Sequence, residues 1–258
     1  MGSSLLKRLA RSFLRAALPR MSDVELTDFL YDAAKTRAES VPASRALRLL
    51  FELDSLLYQI QGTLSVAYDG GLHTKHRHTR YHDFFTLRIG SGERVLDIGC
   101  GLGALAYDIA AKSGAHVVGI DLNPENISIA CAKHAHPNVV YRVADACEQA
   151  PNGPFDTIVL SNVLEHIENR PAFLRNLIKV TRPSRLLLRV PVFERDWRVP
   201  LKKELGLDYR LDPTHYTEYT LESFAVEMEE SSVRITHQEV RWGEIWAEAV
   251  CDVQSIQD

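Results

Sequence analysis

The sequence predicts an α/β protein built on one doubly wound, mostly parallel sheet of seven strands, preceded by a helical extension. Three observations predict this fold class. From residue 93 onward, short strand-like runs alternate with helix-like stretches. The runs are apolar on consecutive residues, as in strands that helices cover on both faces. Two closing strand patterns follow the last helix and complete the sheet.

The individual elements follow from local signals. The strand-like runs are "RVLDI", "HVVGID", "VVYRVA", "FDTIVLS" and "SRLLLRVP", with closing strands near residues 233–239 and 244–250. The helix-like stretches are 103–113, 125–134, 146–151, 170–180 and 220–230. Pro124 and Pro171 stand where helices begin. After Pro191 neither pattern holds for about thirty residues, and so long a connection usually carries function.

The N-terminal region has a different pattern. Leucine and isoleucine recur at three- and four-residue steps within 22–68, which predicts helices, and Asp69-Gly70-Gly71 breaks the pattern. We therefore divide the chain into an N-terminal helical extension or lid, 1–72, and a main domain, 73–258.

Residues 5–20 predict a basic amphipathic helix. Lys7, Arg8, Arg11 and Arg15 gather opposite a stripe of leucine, phenylalanine and alanine. Such a helix can lie on an anionic membrane as a peripheral contact, and its composition is also that of organellar transit peptides. It can equally dock its apolar stripe on the domain or on a sister subunit of a homo-oligomer. These alternatives stay open.

Composition excludes several classes of protein. The formal net charge is -4, which gives no global attraction to nucleic acid, so a nucleic-acid partner is not expected. The four cysteines form no CxxC pair, which favours a reducing, cytoplasmic compartment. No apolar run approaches the roughly 20 residues of a membrane span.

The stretch "VLDIGCGLG", residues 95–103, predicts a ligand site at the end of the first strand. Gly99 and Gly101 let the chain turn and let a ligand approach the backbone, and Gly103 opens a helix whose amides favour negative charge. Asp121 ends the second strand, where a carboxylate can accept both hydroxyls of a ribose. This pattern predicts a cofactor that contains a nucleoside.

Two further acids indicate which cofactor this is. The glycine spacing also satisfies the dinucleotide fingerprint, so the glycines alone decide nothing. Asp97 precedes them, where it would repel a pyrophosphate and attract a cationic amino-acid group. Asp145 follows the third strand and suits the amino group of adenine. The set favours S-adenosylmethionine over NAD.

Residues 75–250 resemble the class I S-adenosylmethionine-dependent methyltransferases, through "VLDIGCGLG", "GIDLNPENI", "VADACE", "FDTIVLSNVLEHI" and "LLLRVP". The resemblance implies a Rossmann-like methyltransferase fold, with 73–258 as the catalytic domain. It implies that the loop Asp97–Gly103 holds the methionine part of the cofactor. The other cofactor contacts that we assign are Asp121 and Leu122 at the ribose, Asp145 and Ala146 at the adenine, Asn162 beside the methyl group, and Tyr81 from a lid before the first strand.

"SNVLEHI" indicates the chemistry. It resembles the ExxEH motif of metal-dependent O-methyltransferases of ubiquinone biosynthesis and of small-RNA 3'-end methylation, with Asn162 in place of the first glutamate. The resemblance implies Glu165, His166 and a downstream histidine, His215, as ligands of Mg²⁺ or another divalent cation. One negative charge less weakens such a site. His166 is also the catalytic base that we expect, with or without a metal.

The acceptor is inferred from the long connection. Trp197, Tyr209 and Tyr216 stand among arginines and lysines there, and the segment resembles bacterial methyltransferases of polysaccharides. We expect O-methylation of a polyhydroxylated acceptor, a saccharide or glycan precursor. The alternatives are a small aromatic or quinone acceptor and, third, an RNA 2'-hydroxyl. In other classes they are an NAD-dependent oxidoreductase and a non-catalytic cofactor-binding module.

Overall fold

The computed structural model describes Ser12, Leu14, 16–71 and 73–251. The chain divides into two compact units, Met1–Leu64 and Ser65–Asp258. Most of the predicted basic helix at 5–20 lies outside the described residues, and its membrane and subunit roles stay predictions. No helix among the described residues combines the length and the apolar character that crossing a membrane requires.

The described residues of the first unit include a 3-10 turn, Leu18–Arg20, and the helices α1 (Asp23–Glu39) and α2 (Ala43–Tyr68), of which α2 continues past Leu64. Ser22 begins α1 with a capping box, in which its hydroxyl accepts from the Glu25 amide while the Glu25 carboxylate accepts from the Ser22 amide. Helices were predicted over 22–68, and the structure has them there, interrupted before Ala43.

The second unit is built on one sheet of seven strands in the order β3-β2-β1-β4-β5-β7-β6. The strands are β1 (Arg94–Ile98), β2 (His116–Asp121), β3 (Val139–Val143), β4 (Thr157–Ser161), β5 (Arg185–Pro191), β6 (Val233–Arg241) and β7 (Glu244–Cys251). The first five pair in parallel, and β7 runs antiparallel between β5 and β6. The predicted sheet is confirmed in strand number and in its mostly parallel direction.

Helices connect these strands. They are α3 (Lys75–Thr79), α4 (Tyr81–Thr86), α5 (Ala104–Ser113), α6 (Pro124–Lys133), α7 (Ala146–Gln149), α8 (Arg170–Thr181), α9 (Arg198–Glu204) and α10 (Leu221–Glu230). Pro124 and Pro171 lie in the first turns of α6 and α8, as predicted. The long connection after β5 contains a short 3-10 turn, Phe193–Arg195, and α9.

The core lies on both faces of the central strands. Val95 packs into one hydrophobic layer and Leu96 into the other, because successive side chains of a strand point to opposite faces. The edge strand β3 is different: it alternates between half-buried and exposed residues. The sheet is flanked by helices as predicted, and at the edge strand β3 the burial is incomplete.

The sheet order reverses between β1 and β4. The chain winds outward through β2 and β3 on one side of β1 and then returns to β4 and β5 on the other. Ligands of doubly wound proteins bind beyond the carboxyl ends of the strands at such a reversal. The segments that follow β1, β2, β3 and β4 are therefore the place to search for a site.

Candidate active site

Asp97 lies at the carboxyl end of β1 and is 1% exposed. Its Oδ2 atom has no hydrogen-bond partner among the described residues. Burial, reinforced by the nearby Asp121, raises the pKa of Asp97 to about 8. An unpaired carboxylate in this position is costly to ionise, and a cationic group placed beside it would remove that cost.

The loop after β1 has glycine at three positions with positive φ, and each has different surroundings. A Cβ at Gly99 would lie 2.7 Å from Val163 Cγ2. A Cβ at Gly103 would lie 2.8 Å from the Tyr141 hydroxyl oxygen, so this glycine serves the packing of α5 on the sheet. A Cβ at Gly101 would have no atom of the described residues within 4 Å. Gly101 is thus the glycine whose missing side chain leaves open space for a ligand.

Asp121 ends β2 and holds this loop. Its Oδ2 accepts from the Gly101 amide at 2.9 Å, and its Oδ1 accepts from the Asn123 amide at 2.8 Å. Leu122 next to it is 68% exposed, which leaves its side chain available as an apolar surface. The ends of β1 and β2 are therefore joined directly, as parallel neighbours in the sheet allow.

After β3, Asp145 caps α7 by accepting from the Cys147 amide at 2.8 Å. Ala146 is buried beneath it. Asp97 lies near the end of β1, Asp121 ends β2 and Asp145 follows β3, so the three acids lie at the carboxyl ends of three adjacent strands. The structure thus brings Asp97, Gly101 and Asp121 together and places Asp145 after the neighbouring strand. The unpaired Asp97 and the space at Gly101 fit a ligand that is cationic at one end.

On the other side of the reversal, Asn162 follows β4 in the left-handed region, with φ of 58°. One of its amide atoms lies 3.4 Å from Glu244 Oε1. When the amide is oriented so that both ends are satisfied, its oxygen accepts from Arg189 Nη2 and its nitrogen donates to the Arg189 carbonyl, each at 3.2 Å. The residue that replaces the first glutamate of the motif is therefore engaged by a buried arginine.

Glu165 lies in a 3-10 turn, Leu164–His166, and is fully buried. Neither of its carboxylate oxygens has a hydrogen-bond partner among the described residues. Burial raises the pKa of Glu165 to about 7. Buried polar groups normally have a partner, and a carboxylate without a hydrogen-bond donor is suited to binding a cation.

Glu165, His166 and His215 form a cluster in which the candidate ligand atoms all lie within 4.8 Å of one another. The two imidazole rings meet edge to face, with centroids 4.6 Å apart. Desolvation of its ring and then His215 lower the pKa of His166. The neutral form of this imidazole, which can bind a cation or accept a proton, is thereby favoured.

Outer hydrogen bonds orient both rings. Thr214 Oγ1 donates to Asp212 at 2.6 Å, so it accepts from His166 Nδ1, which lies 2.9 Å away. His215 Nδ1 lies 3.4 Å from Glu218, a carboxylate that Arg195 also engages. In each ring Nε2 is left as the available nitrogen. Second partners of this kind fix the tautomers of metal-binding histidines.

A backbone contact brings His215 to the end of β4. The Tyr216 amide donates to the Glu165 carbonyl at 2.7 Å, across roughly fifty residues of sequence. An open cleft of about 600 Å³ adjoins the cluster, lined by His166, Arg210, Pro213, Thr214, His215 and Tyr216. Tyr216 is 61% exposed and Trp197 is 70% exposed, so these aromatic side chains are not packed into the core.

Sequence reasoning missed a second group of residues, centred on Arg189 of β5. Its guanidinium stacks on the Tyr81 ring, with 3.7 Å from Cζ to the ring centroid, and its Nε is 3.7 Å from Glu244 Oε2. Lys75 lies within the electrostatic reach of both charged groups. The available signal was a single charge inside the apolar run "LLLRVP", because a buried strand rarely contains an arginine without a specific role.

The histidine-rich segment 73–82 forms no metal cluster among the residues that the structure describes, where Glu165, His166 and His215 are the one candidate group. His82 Nδ1 instead contacts Asp108 at 2.8 Å. Burial lowers the pKa of His76 to about 4, so this residue is uncharged at neutral pH. The predicted lid position of Tyr81 corresponds to α4, where the ring is buried against Arg189.

The fold and these residues define a nucleoside-cofactor enzyme of the doubly wound α/β type. A profile of the family described as "Methyltransferase domain" matches residues 72–238. Magnesium protoporphyrin IX methyltransferase from Synechocystis PCC 6803, solved with bound SAH, has a similar fold, with a TM-score of 0.54 and 20% identity over 68% of this chain and 84% of that one. The chain belongs to the S-adenosylmethionine-dependent methyltransferase family, and the prediction of this cofactor over NAD is confirmed.

The relatives that the sequence matches include both O-methyltransferases and N-methyltransferases. The chain is 32% identical to a ubiquinone biosynthesis O-methyltransferase of Bradyrhizobium sp. (strain ORS 278), over 59% of this chain and 66% of the relative. It is 31% identical to phosphoethanolamine N-methyltransferase 1 of Zea mays, over 51% of this chain and 28% of the relative. The matched region thus spans less than two thirds of the length of either relative. The acceptors in the names of these relatives are known for those proteins and not for this chain.

Proposed function

We propose that this protein is an O-methyltransferase that uses S-adenosylmethionine to methylate a hydroxyl of a small aromatic or quinol acceptor. The observation that carries the proposal is the cluster of Glu165, His166 and His215 beside an open cleft. The similarity to a ubiquinone biosynthesis O-methyltransferase supports a small acceptor. It favours this alternative over the saccharide that we expected first. Residues 73–258 form the proposed catalytic domain.

The residues after β1 to β3 bind the cofactor in this proposal. Ionised Asp97 pairs with the amino group of the methionine part, and the open side of Gly101 receives the chain of that ligand. Each carboxylate oxygen of Asp121 accepts a backbone amide, and Oδ2 keeps a second lone pair, with which it accepts a ribose hydroxyl. Asp145 and Ala146 border the adenine. Methyl transfer then requires alignment of a nucleophile with the sulfonium carbon, which orientation alone accelerates strongly.

The acceptor hydroxyl needs to lose its proton. His166 Nε2 is the base, since Thr214 and Asp212 hold the proton on Nδ1 and leave the other nitrogen with its lone pair. Tyr216 and Trp197 offer aromatic faces on the exposed side. Asn162, held by Arg189, borders the place where the methyl group is expected.

The cluster also fits a divalent cation. Its donor set is one carboxylate and two imidazole nitrogens, the carboxylate has no protein partner, and both rings are oriented from behind. When bound, a divalent cation there supplies Lewis-acid polarisation of the acceptor hydroxyl. With a cation bound, Glu165 would provide the one negative charge, and Nε2 of His166 and of His215 would provide the two nitrogen ligands. His166 would then act as a ligand and not as the base, because its free lone pair would be on the cation, and the cation itself would make the acceptor hydroxyl more acidic.

The test is transfer of labelled methyl from S-adenosylmethionine to a panel of catechols, hydroquinones, monosaccharides and amines. We expect product on the hydroxyl of a catechol or hydroquinone. After exhaustive dialysis against EDTA we expect turnover to fall at least about tenfold and to return with added Mg²⁺ or Mn²⁺, as for ions that polarise the substrate. Transfer to saccharides or amines alone would contradict the acceptor class, and activity insensitive to EDTA would contradict the metal.

A further inference from the structure

The middle of α2 is exposed on every side. All ten residues 52–61 of this helix are exposed, although five of them are leucine, tyrosine or isoleucine. A helix normally buries its apolar face, because packing rather than helix propensity supplies most of its stability. The helix α2 therefore has an apolar surface that the described residues leave uncovered.

The apolar side chains of α2 follow the spacing of a coiled coil. Five of them recur at alternate steps of three and four residues: Leu50, Leu53, Leu57, Ile60 and Leu64. We call these five residues the α2 seam, and their exposed fractions lie between 39% and 61%. Alanines continue the same spacing to both ends of the helix, at Ala43, Ala46 and Ala67. These steps define the a and d positions of heptads, whose side chains pack against a second helix.

The charge of α2 indicates what kind of partner fits the seam. The charged side chains of the helix all lie in its first half: Arg45, Arg48, Glu52 and Asp54. They cancel one another in sign, and 55–68 contains no charged residue. A helix that lies on an anionic membrane needs lysine or arginine beside its apolar face, and a strongly charged protein partner would need complementary charges here. The seam instead fits a helix that is equally apolar and uncharged.

A second copy of this chain presents such a helix. The same stripe on two copies is self-complementary, as the two-fold interface of a homodimer requires. The basic segment 5–20 of the same chain, with five lysines and arginines, fits less well, because it would meet no carboxylate along 55–68. At roughly 100 Å² for each half-exposed leucine or isoleucine, two seams bury about 1,000 Å², the size at which specific interfaces begin.

We infer that this protein is a homodimer in which α2 of one copy forms a coiled coil with α2 of the other. The inference concerns assembly and does not depend on the proposed acceptor. The α2 seam is the stripe that the dimer buries. Tyr58, which is 65% exposed and follows Leu57 directly, lies at a position that faces away from the second helix.

The experiment measures the mass of the full chain in solution by sedimentation velocity, as a function of protein concentration. We expect twice the mass of one chain. Leu57→Glu puts a charge without a partner into the buried stripe of each copy, so association should weaken at least about tenfold. Ile60→Glu, at the next position of the seam, should have the same effect. Tyr58→Glu is the matched control, since it introduces the same charge at a residue at least as exposed, and it should leave the dimer intact.

Affinity for S-adenosylhomocysteine shows whether the variants are folded. It should stay within about threefold of the wild type in all three, because the substituted side chains are exposed and belong to the first compact unit. A wild type that is monomeric at every concentration would overturn the inference. Dimers that Leu57→Glu and Ile60→Glu leave intact, or that Tyr58→Glu weakens equally, would overturn it as well. If instead a monomeric wild type binds phosphatidylglycerol vesicles and Leu57→Glu does not, the seam belongs to a membrane surface.

Discussion

The two sides of the sheet reversal are built differently. On the proposed cofactor side, Asp97, Asp121 and Asp145 lie at the carboxyl ends of three adjacent strands, and the hydrogen bond between Gly101 and Asp121 joins neighbours in the sheet. On the proposed acceptor side, Glu165 and His166 meet His215 through the contact between Tyr216 and Glu165. Arg189 and Glu244 come from strands on the far half of the sheet.

The residues proposed to bind the cofactor and those proposed to act on the acceptor thus depend on different parts of the fold. The cofactor side uses short motifs whose geometry follows from the strand order, so any chain with this fold can form it. The acceptor side depends on a long connection that folds back, and its composition can change without disturbing the sheet. We therefore expect substitutions on the two sides to affect different measurements, and the following predictions test that separation.

Glu165→Gln should have the largest effect. The substitution preserves shape but removes the one negative charge of the cluster, so kcat should fall by about 100- to 1000-fold, the range of acid, base and metal assistance. Affinity for S-adenosylhomocysteine should stay within about threefold, because Glu165 lies across the reversal from the cofactor residues. Steady-state kinetics and calorimetry measure the two quantities. Glu168→Gln, at an exposed neighbouring residue, is the control and should keep the wild-type kcat. An equal loss of kcat in both variants would contradict the role of Glu165.

Asp97→Asn should have the opposite profile. Removal of the carboxylate leaves the cofactor's ammonium group without a partner in a buried site, which should weaken S-adenosylmethionine binding about 100-fold. The cofactor-free variant should be more stable than the wild type at pH 8, since a costly buried charge is gone. Thermal unfolding and calorimetry test both statements, with the exposed Asp208→Asn as control. Retained affinity would refute the assignment of Asp97.

The pH dependence should be a smaller effect of the same residue. The pKa of Asp97 in the folded protein is about 8, against an ordinary value of 3.8, so between these values the folded cofactor-free protein binds a proton that the unfolded chain has lost. Its contribution to stability therefore falls as pH rises through this window and is constant above about pH 8.

Cofactor affinity should follow the opposite course. Pairing with an ammonium group requires ionised Asp97, so affinity should rise by at most about tenfold per pH unit up to about pH 8. Calorimetry from pH 6 to 9 measures the slope, and Asp97→Asn should remove it. A wild-type affinity independent of pH across this range would mean that Asp97 is already ionised in the cofactor-free protein.

The predictable part of the molecule is the part whose signals are local. The glycine loop, the acids after the strands and the prolines at helix starts all act within a few residues, and the sheet that they predict is confirmed. Arg189 and Glu244 could not be paired from the sequence, because their contact depends on β5 and β7 being neighbours in an antiparallel register. Likewise, Glu218 is recognisable as the partner of His215 only after the connection has folded.

The hydrogen bond from Tyr216 to Glu165 ties one wall of the cleft to the three clustered side chains. Tyr216 borders the cleft, and His215 precedes it in the chain. A substitution that loosens this backbone contact would therefore also disturb the position of His215 beside Glu165 and His166.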